Sequence, residues 1–368
     1  MSLQNTVPRR AVSSGFMVRA KRGWIGIDIG TTAIKLSQVE HCGSRFRISN
    51  RWTLSDPASM ALNHDRMDET KLLSQLTQLK SLRRIFAGRN CAAVLPMSLV
   101  EYRSLELPRG DASEQSRMVG EELSADLAVE PEELAFDCWE NGSDAAADSE
   151  LSIVSVIAAR KVLVEQVATN LLSAGLECQA LNGMPCALAR AVEMSNYERT
   201  EEIVLALDLG YTSPLMVLVK AGRPLFTRTL RGVGLQTLMQ PLESSLQISS
   251  AECQQLLVRY GVSNADQFPT LATQRTMQLI ANPLQCLVSE IKRTIEYIGQ
   301  KFRSGKPTRL CLFGGGALIK NFPEYLSQHL PLPANPWTLG GEHADPSDAL
   351  FGVASGLSSL AWENGACS

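Results

Sequence analysis

No CxxC pair occurs anywhere in the 368 residues, and the four histidines are scattered. The ligand spacing of a zinc site is therefore missing. Nine cysteines is an odd number. This argues against a closed disulfide framework and for buried reduced thiols in a cytosolic chain. Long apolar runs are also missing. The strongest, Leu151 to Ala159, is about half of what a spanning helix needs. The stretch "GFMV" near the start is too short for a signal-peptide core. There is no excess of positive charge. With 35 Lys and Arg against 38 Asp and Glu, the net charge is -3, so nothing general favours nucleic acid. Residues 1–22 carry Arg9, Arg10, Arg19, Lys21 and Arg22 without an acid. They are predicted to form a disordered basic tail, with at most a weak attraction to anionic lipid.

What is present is an ordinary globular composition, 45% hydrophobic and 20% charged. The length suits two domains, or one domain of two lobes. An internal echo favours such a division. "WIGIDIGTTAIKLSQVE" from Trp24 is matched by "IVLALDLGYTSPLMVLVK" from Ile203. Each is an apolar run, then Asp-x-Gly-x-Thr, then a second run with period-two alternation. A glycine turn and another strand-like run follow each, "CGSRFRISNRWTL" and "KAGRPLFTRTL". Each half thus reads as an antiparallel meander. Asp28 and Asp208 lie 180 residues apart, too far for a solenoid repeat.

The rest alternates strands and helices. Leu72, Leu73, Leu76, Leu79 and Leu82 predict a helix over Asp68–Phe86. "CAAVLP", "AFDCWEN" and "LSIVSVIAA" read as strands. A helix is predicted from Ser113, taken as N-cap. Another, "KVLVEQVATNLLSAGL", stops at Gly175, and a third contains Pro185 in its first turn. Residues 232–282 are polar and helix-rich. A long amphipathic helix is predicted to start after Pro283, with Leu287, Ile291, Ile295, Ile298 and Phe302 on one face. The strand "RLCLF" follows, then Gly314, Gly315 and Gly316, then a helix from about Phe322.

Asp-x-Gly alone is a good hairpin turn. Two such turns, each after an apolar strand, and a glycine triplet after a third strand suggest something more. Phosphates need backbone N–H donors, which glycine turns expose. Mg²⁺ needs carboxylate oxygens, often through water. Asp28 and Asp208 are candidates for that role, Gly30 and Gly210 for the turns, and Thr31, Thr32 and Thr212 for hydroxyl bonds to phosphate. Lys35 faces either the phosphates or a neighbouring acid. The triplet Gly314–Gly316 is the candidate for the adenosine side.

These motifs, in this order, resemble the actin, heat-shock-chaperone and sugar-kinase superfamily. Within it the sequence resembles the PilM family, the actin-like cytoplasmic proteins of type IV pilus assembly. The likeness is carried by "GIDIGTTAIKLSQVE", "SLELPRGDASEQSRMVGEELSADLAVEPEELAFDCWE", "VIAARKVLVEQVATNLLSAGLECQALNGMPCALARA", "VSEIKRTIEYIGQKF" and "LCLFGGGALIKNFPEYLSQHL". It implies an α/β fold, two-lobed and actin-like (ribonuclease H-like), with a duplicated core. The first lobe would span 23–200 with a small α/β insertion over about 99–160. The second would span 201–368, with a smaller subdomain over about 232–282. It implies ATP and Mg as ligands. It implies a partner too, the cytoplasmic tail of a PilN-like inner-membrane protein, in a groove near 99–160. Attachment to the membrane would be through that partner alone, with a homo-oligomer as a further option. Glu290 and Arg293 lie on a helix that resembles one contacting adenosine in the superfamily.

Two departures bear on this. Tyr211 follows Gly210 where a small residue is usual, and either crowds the phosphate pocket or swings into solvent. Pro214 removes a backbone donor. No residue presents itself as a general base, so at most a slow ATPase is expected. A small-molecule kinase lacks an acceptor-side aspartate here. A filament protein of the FtsA kind would need a C-terminal amphipathic membrane helix, and "SSLAWENGACS" is not one. A degenerate scaffold without nucleotide is the remaining alternative.

Overall fold

The structure is a computed structural model that describes residues 21–42, 45–55, 75–76, 78–140, 151–195, 201–262, 270–302, 305–339 and 345–363. The first lobe opens with β1 (Lys21–Arg22), β2 (Ile25–Ile29), β3 (Ala33–Cys42), β4 (Arg45–Ser55) and β5 (Asn90–Val94). Next come β6 (Glu101–Pro108), helix α1 (Ala112–Leu127), β7 (Leu134–Glu140) and β8 (Leu151–Arg160). Helix α2 (Lys161–Ser173), β9 (Glu177–Asn182) and α3 (Met184–Ser195) complete it. The second lobe has β10 (Val204–Asp208), β11 (Leu215–Lys220), β12 (Arg223–Thr229), α4 (Leu235–Leu246), α5 (Ser250–Tyr260) and the long α6 (Leu271–Lys301). It ends with β13 (Arg309–Phe313), α7 (Phe322–His329), β14 (Ala334–Pro336) and α8 (Gly352–Ser358).

The two main sheets share one plan. In the first, β4 pairs β3, and the order continues β3-β2-β5-β9; in the second it is β12-β11-β10-β13-β14. In each, three antiparallel strands are followed by two parallel ones. Strands β2 and β10 hold the centre and are buried at every position. Both are covered on two faces, so they read as continuous apolar runs and not as alternations.

The third sheet, β6-β8-β7, is separate. One face packs on α1, where Val119, Leu123, Val154, Val156 and Ala158 form a small core of their own. Helix α1 is capped by Asp111, not Ser113. The Asp111 carboxylate accepts from the Ser113 and Glu114 amides, and Glu114 returns a bond to the Asp111 amide. A carboxylate two residues earlier reaches the free N–H groups, and it leaves Ser113 inside the first turn.

Helix α8 ties the lobes together. It packs on β2 and β3 of the first sheet and on α3. The Ser37 and Ser355 hydroxyls meet at 2.9 Å in full burial. A Cβ on Gly26 would strike the Ala354 carbonyl oxygen, and one on Gly356 the Ala187 carbonyl oxygen. These glycines let backbone pack on backbone.

Three other expectations change. Helix α6 runs straight through Pro283. Its buried stripe is continuous on both sides, with Ile280, Leu284, Leu287 and Ile291. Tertiary packing of that stripe outweighs the lost hydrogen bond of one proline. Of the helix expected over Asp68–Phe86, residues 68–74 and 77 lie outside the described residues; Gln75 and Leu76 are helical, and the rest is 3₁₀ turns at Gln78–Ser81 and Arg83–Ile85. Lys21 and Arg22 belong to strand β1, where Arg22 bonds Glu40 at 2.7 Å. The remainder of the expected tail lies outside the described residues.

Candidate functional site

The first hairpin is closed by the Gly30 amide, which donates to the Ala33 carbonyl at 3.0 Å. Its register places Asp28 opposite Lys35. Cross-strand partners share a face, so the ammonium meets the carboxylate. Lys35 Nζ donates to Asp28 Oδ2 at 2.8 Å. Of the two expected orientations, towards phosphate or towards a neighbouring acid, Lys35 takes the one towards the acid. Asp28 is 3% exposed, and its second oxygen, Oδ1, is buried without a hydrogen-bond partner.

The second acid arrives from the other lobe. Asp208 ends β10, and its register partner on β13 is Phe313. This puts the carboxylate beside Gly314, whose φ is +75°, and a Cβ there would strike Asp208 Oδ1. Glycine at 314 is therefore required both by backbone conformation and by the approach of the acid. The two loops are sewn together, because Leu209 N–H donates to the Phe313 carbonyl and Gly316 N–H to the Leu209 carbonyl, each at 3.0 Å.

Asp28, Lys35 and Asp208 form one buried charge cluster. Burial draws the Lys35 pKa down, but attraction to Asp28 and Asp208 outweighs it, and the net direction is upward. Burial pushes the Asp208 carboxyl up to about 6; Lys35 offsets part of this and the Asp28 charge adds to it. The site thus holds more negative charge than its one ammonium neutralises. It has a donor-starved oxygen at Asp28, which is what a metal-bound water would satisfy. No group of three or more metal-ligating side chains exists among the described residues. Two acids acting through water suit Mg²⁺, which keeps most of its hydration.

Around this cluster, the Thr31, Thr32 and Thr212 hydroxyls make no hydrogen bond within the described residues. The carbonyls of Gly210 and Tyr211 accept from the Leu235 and Gln236 amides, so the second loop caps α4. Tyr211 is half-buried and packs against the hydrophobic core. The Pro214 carbonyl accepts from Leu230 N–H at 2.8 Å. Beside this loop opens a polar cavity of about 530 Å³, lined by Thr212, Ser213, Gln236, Gln240 and Glu243 among others. Its size is in the range of small-molecule sites. Sequence reasoning passed over Gln236, Gln240 and Glu243. Their signal was their spacing, since they form the polar stripe of a helix whose Leu235, Leu238, Met239 and Leu242 are buried.

The remaining candidates are placed differently. Gly315 and Gly316 lie tightly against Leu235 and Leu209. Glu290 bonds Arg228 at 2.8 Å and also pairs with Arg293, while Arg228 reaches the Thr294 hydroxyl. These contacts tie α6 to β12 and do not reach Asp28 or Asp208.

A second, smaller cavity of about 130 Å³ lies between the third sheet and the first-lobe core. Its walls are mainly apolar and include Leu95, Val100, Ile157, Val164 and Leu181.

The fold and the paired hairpins define a two-lobed, actin-like protein. Over residues 26–337 the sequence matches the family described as type IV pilus assembly protein PilM. The chain belongs to that family. Among solved structures it is similar to a PilM-PilN type IV pilus biogenesis complex, with 21% identity, a TM-score of 0.74, and 92% of this chain and 98% of that one covered. It is also similar to the ethanolamine utilization protein EutJ of Carboxydothermus hydrogenoformans, with 15% identity, a TM-score of 0.53 and coverage of 93% and 90%. MreB5 of Spiroplasma citri, solved bound to ADP, gives 12% identity, a TM-score of 0.50 and coverage of 93% and 97%. No curated protein sequence matches the chain. Among the described residues no helix is long and apolar enough to cross a membrane.

Proposed function

We propose that this protein is a nucleotide-binding cytoplasmic scaffold of a type IV pilus or related assembly machine. The observation that carries the nucleotide part is the meeting of Asp28, Lys35 and Asp208, from two hairpins of two lobes, around an oxygen with no donor. ATP with Mg²⁺ would lie across these hairpins. Asp28 and Asp208 would hold the metal through its waters. Gly30, Gly210 and the free Thr31, Thr32 and Thr212 hydroxyls would face phosphate. The cavity along α4 and the Gly314–Gly316 turn would take the nucleoside. Glu290, paired with Arg293 on its own helix, would serve by bracing α6 on β12 through Arg228. Nucleotide is a conformational ligand in this reading, favouring one lobe angle by differential affinity. Hydrolysis is slow at most.

The lobes are read as one duplicated plan, 23–200 and 201–368, with subdomains over about 99–160 and 232–282. The apolar cavity beside the 99–160 insertion is read as a peptide groove. It suits the extended tail of a PilN-like inner-membrane protein, held by apolar anchors, and the scaffold is peripheral to the membrane through that tail. A scaffold without nucleotide is the second reading. Lys35 favours it, because an ammonium on Asp28 already meets part of the demand for a cation.

Calorimetric titration of ATP–Mg²⁺ into nucleotide-free protein separates the two. Saturable binding that Asp28→Asn removes supports the first reading. A folded wild-type protein that gives no heat refutes it and leaves the groove as the functional site.

A further inference from the structure

The third sheet has one face on α1 and one face turned to the rest of the molecule. On the inward face the register sets Ile157 between Tyr102 and Asp137, and Ser155 between Ser104 and Trp139. The Ile157 end lines the apolar groove against the first lobe. The Ser155 end lines a different cavity, of about 160 Å³, whose opposite wall is Phe226, Tyr297 and Lys301 of the second lobe. Between the two, Tyr102 Oη accepts from the Met184 amide at 3.0 Å, at the start of α3. The Gly183 Cα stands beside Ile157 and Tyr102. One sheet face therefore serves two cavities on either side of a fixed point.

A direct bond joins the third sheet to the second lobe beside this cavity of about 160 Å³. Trp139 Nε1–H donates to the Pro224 carbonyl of β12 at 3.3 Å. The β11–β12 ladder slips at this place, with Leu218 opposite Phe226 but Val219 opposite Pro224. Such a bulge interrupts the ladder and re-aims local groups. The other end of β12 is anchored at the nucleotide loop, because Thr229 pairs with Leu215 and Leu230 N–H bonds the Pro214 carbonyl.

We propose that β7 is the coupling element between the peptide groove and the nucleotide cleft, with Trp139 as its contact to the second lobe. Alternate residues of one strand face do both jobs. Ala135 and Asp137 border the groove, and Trp139 holds the second lobe. A peptide seated in the groove loads the inward face of the sheet and turns it about the Tyr102–Met184 bond. Trp139 carries that turn to Pro224, and β12 carries it to the loop after Asp208. Linkage makes the effect reciprocal, so the ligand that fixes the lobe angle also changes peptide affinity. The inference rests on the functional reading above and specifies its regulation.

The test uses the full chain and a fluorescent synthetic peptide copying the N-terminal tail of the PilN-like partner. Peptide affinity is measured by anisotropy with and without saturating ATP–Mg²⁺. In the wild type the two affinities should differ by about fivefold or more. In Trp139→Phe, which keeps an aromatic ring but removes the N–H, both ligands should still bind and the ratio should fall towards one. Phe226→Leu, across the cavity, should reduce the ratio in the same direction, and thermal melts confirm that each variant is folded. A wild-type ratio of one, with both ligands bound, overturns the coupling alone. So does a folded Trp139→Phe that keeps the full ratio. A wild type that fails to bind one of the ligands overturns the functional reading, and the coupling with it.

Discussion

Asp208→Asn should make the empty protein more stable and at the same time unable to hold nucleotide. In the folded chain the Asp208 carboxyl ionises near pH 6 and not near 3.8, because burial costs more than Lys35 returns. At about 1.4 kcal/mol per pH unit, keeping it charged at pH 7 costs on the order of 3 kcal/mol. Asparagine preserves the shape and removes the charge, and Lys35 keeps its bond to Asp28. With an unfolding entropy of about 2 cal/mol/K per residue, the melting temperature should rise by roughly 4 °C at pH 7. The pH dependence has a definite sign. Between pH 4 and 6 the folded state binds more protons than the unfolded state, so wild-type stability from this group falls as pH rises through that window. The advantage of the variant should therefore be full above pH 7 and fade as pH approaches 4. Differential scanning fluorimetry from pH 4 to 8, with calorimetric titration of ATP–Mg²⁺ alongside, measures both halves. A variant that melts at or below wild type at pH 7, or an advantage that does not change with pH, would refute the reasoning.

Lys35→Met should act in the opposite direction. It leaves two buried carboxylates without a cation and should cost about 3 kcal/mol, seen as an earlier urea midpoint at pH 7. Gly26→Ala should destabilise by about 2 kcal/mol or more, because its methyl meets the Ala354 backbone and cannot move aside; a melt of the purified variant checks this. Val164→Asp puts a charge in the wall of the apolar groove and should abolish tail-peptide binding in the anisotropy assay while the ATP titration is unchanged.

Much of the architecture was legible because it is written locally. The two meanders announced themselves by apolar runs around Asp-x-Gly-x-Thr, and both appear as β2-β3-β4 and β10-β11-β12. Helix α2 ends at Gly175 with φ +84°, where a glycine stop signal stood in the sequence. Elements whose ends depend on a competition were less legible. Asp111 and Ser113 are both good caps, and only the reach of the carboxylate decides between them. Pro283 is a strong local breaker, yet the buried stripe on either side of it holds α6 as one helix.

The candidate site divides along the same line. Sequence alone determined the residue types at the hairpins, since turn chemistry and strand alternation are set within a few residues. Register then follows, and it is what turns Lys35 onto Asp28. Only the tertiary structure decided that Asp208 joins this pair from 180 residues away, that Gly314 must lack a side chain to admit it, and that Glu290 pairs with Arg228. It alone placed Trp139 against Pro224. These are meetings between separate layers. Their geometry comes from how sheets and helices pack over the whole chain, a sum of many weak contacts that no short stretch of sequence contains.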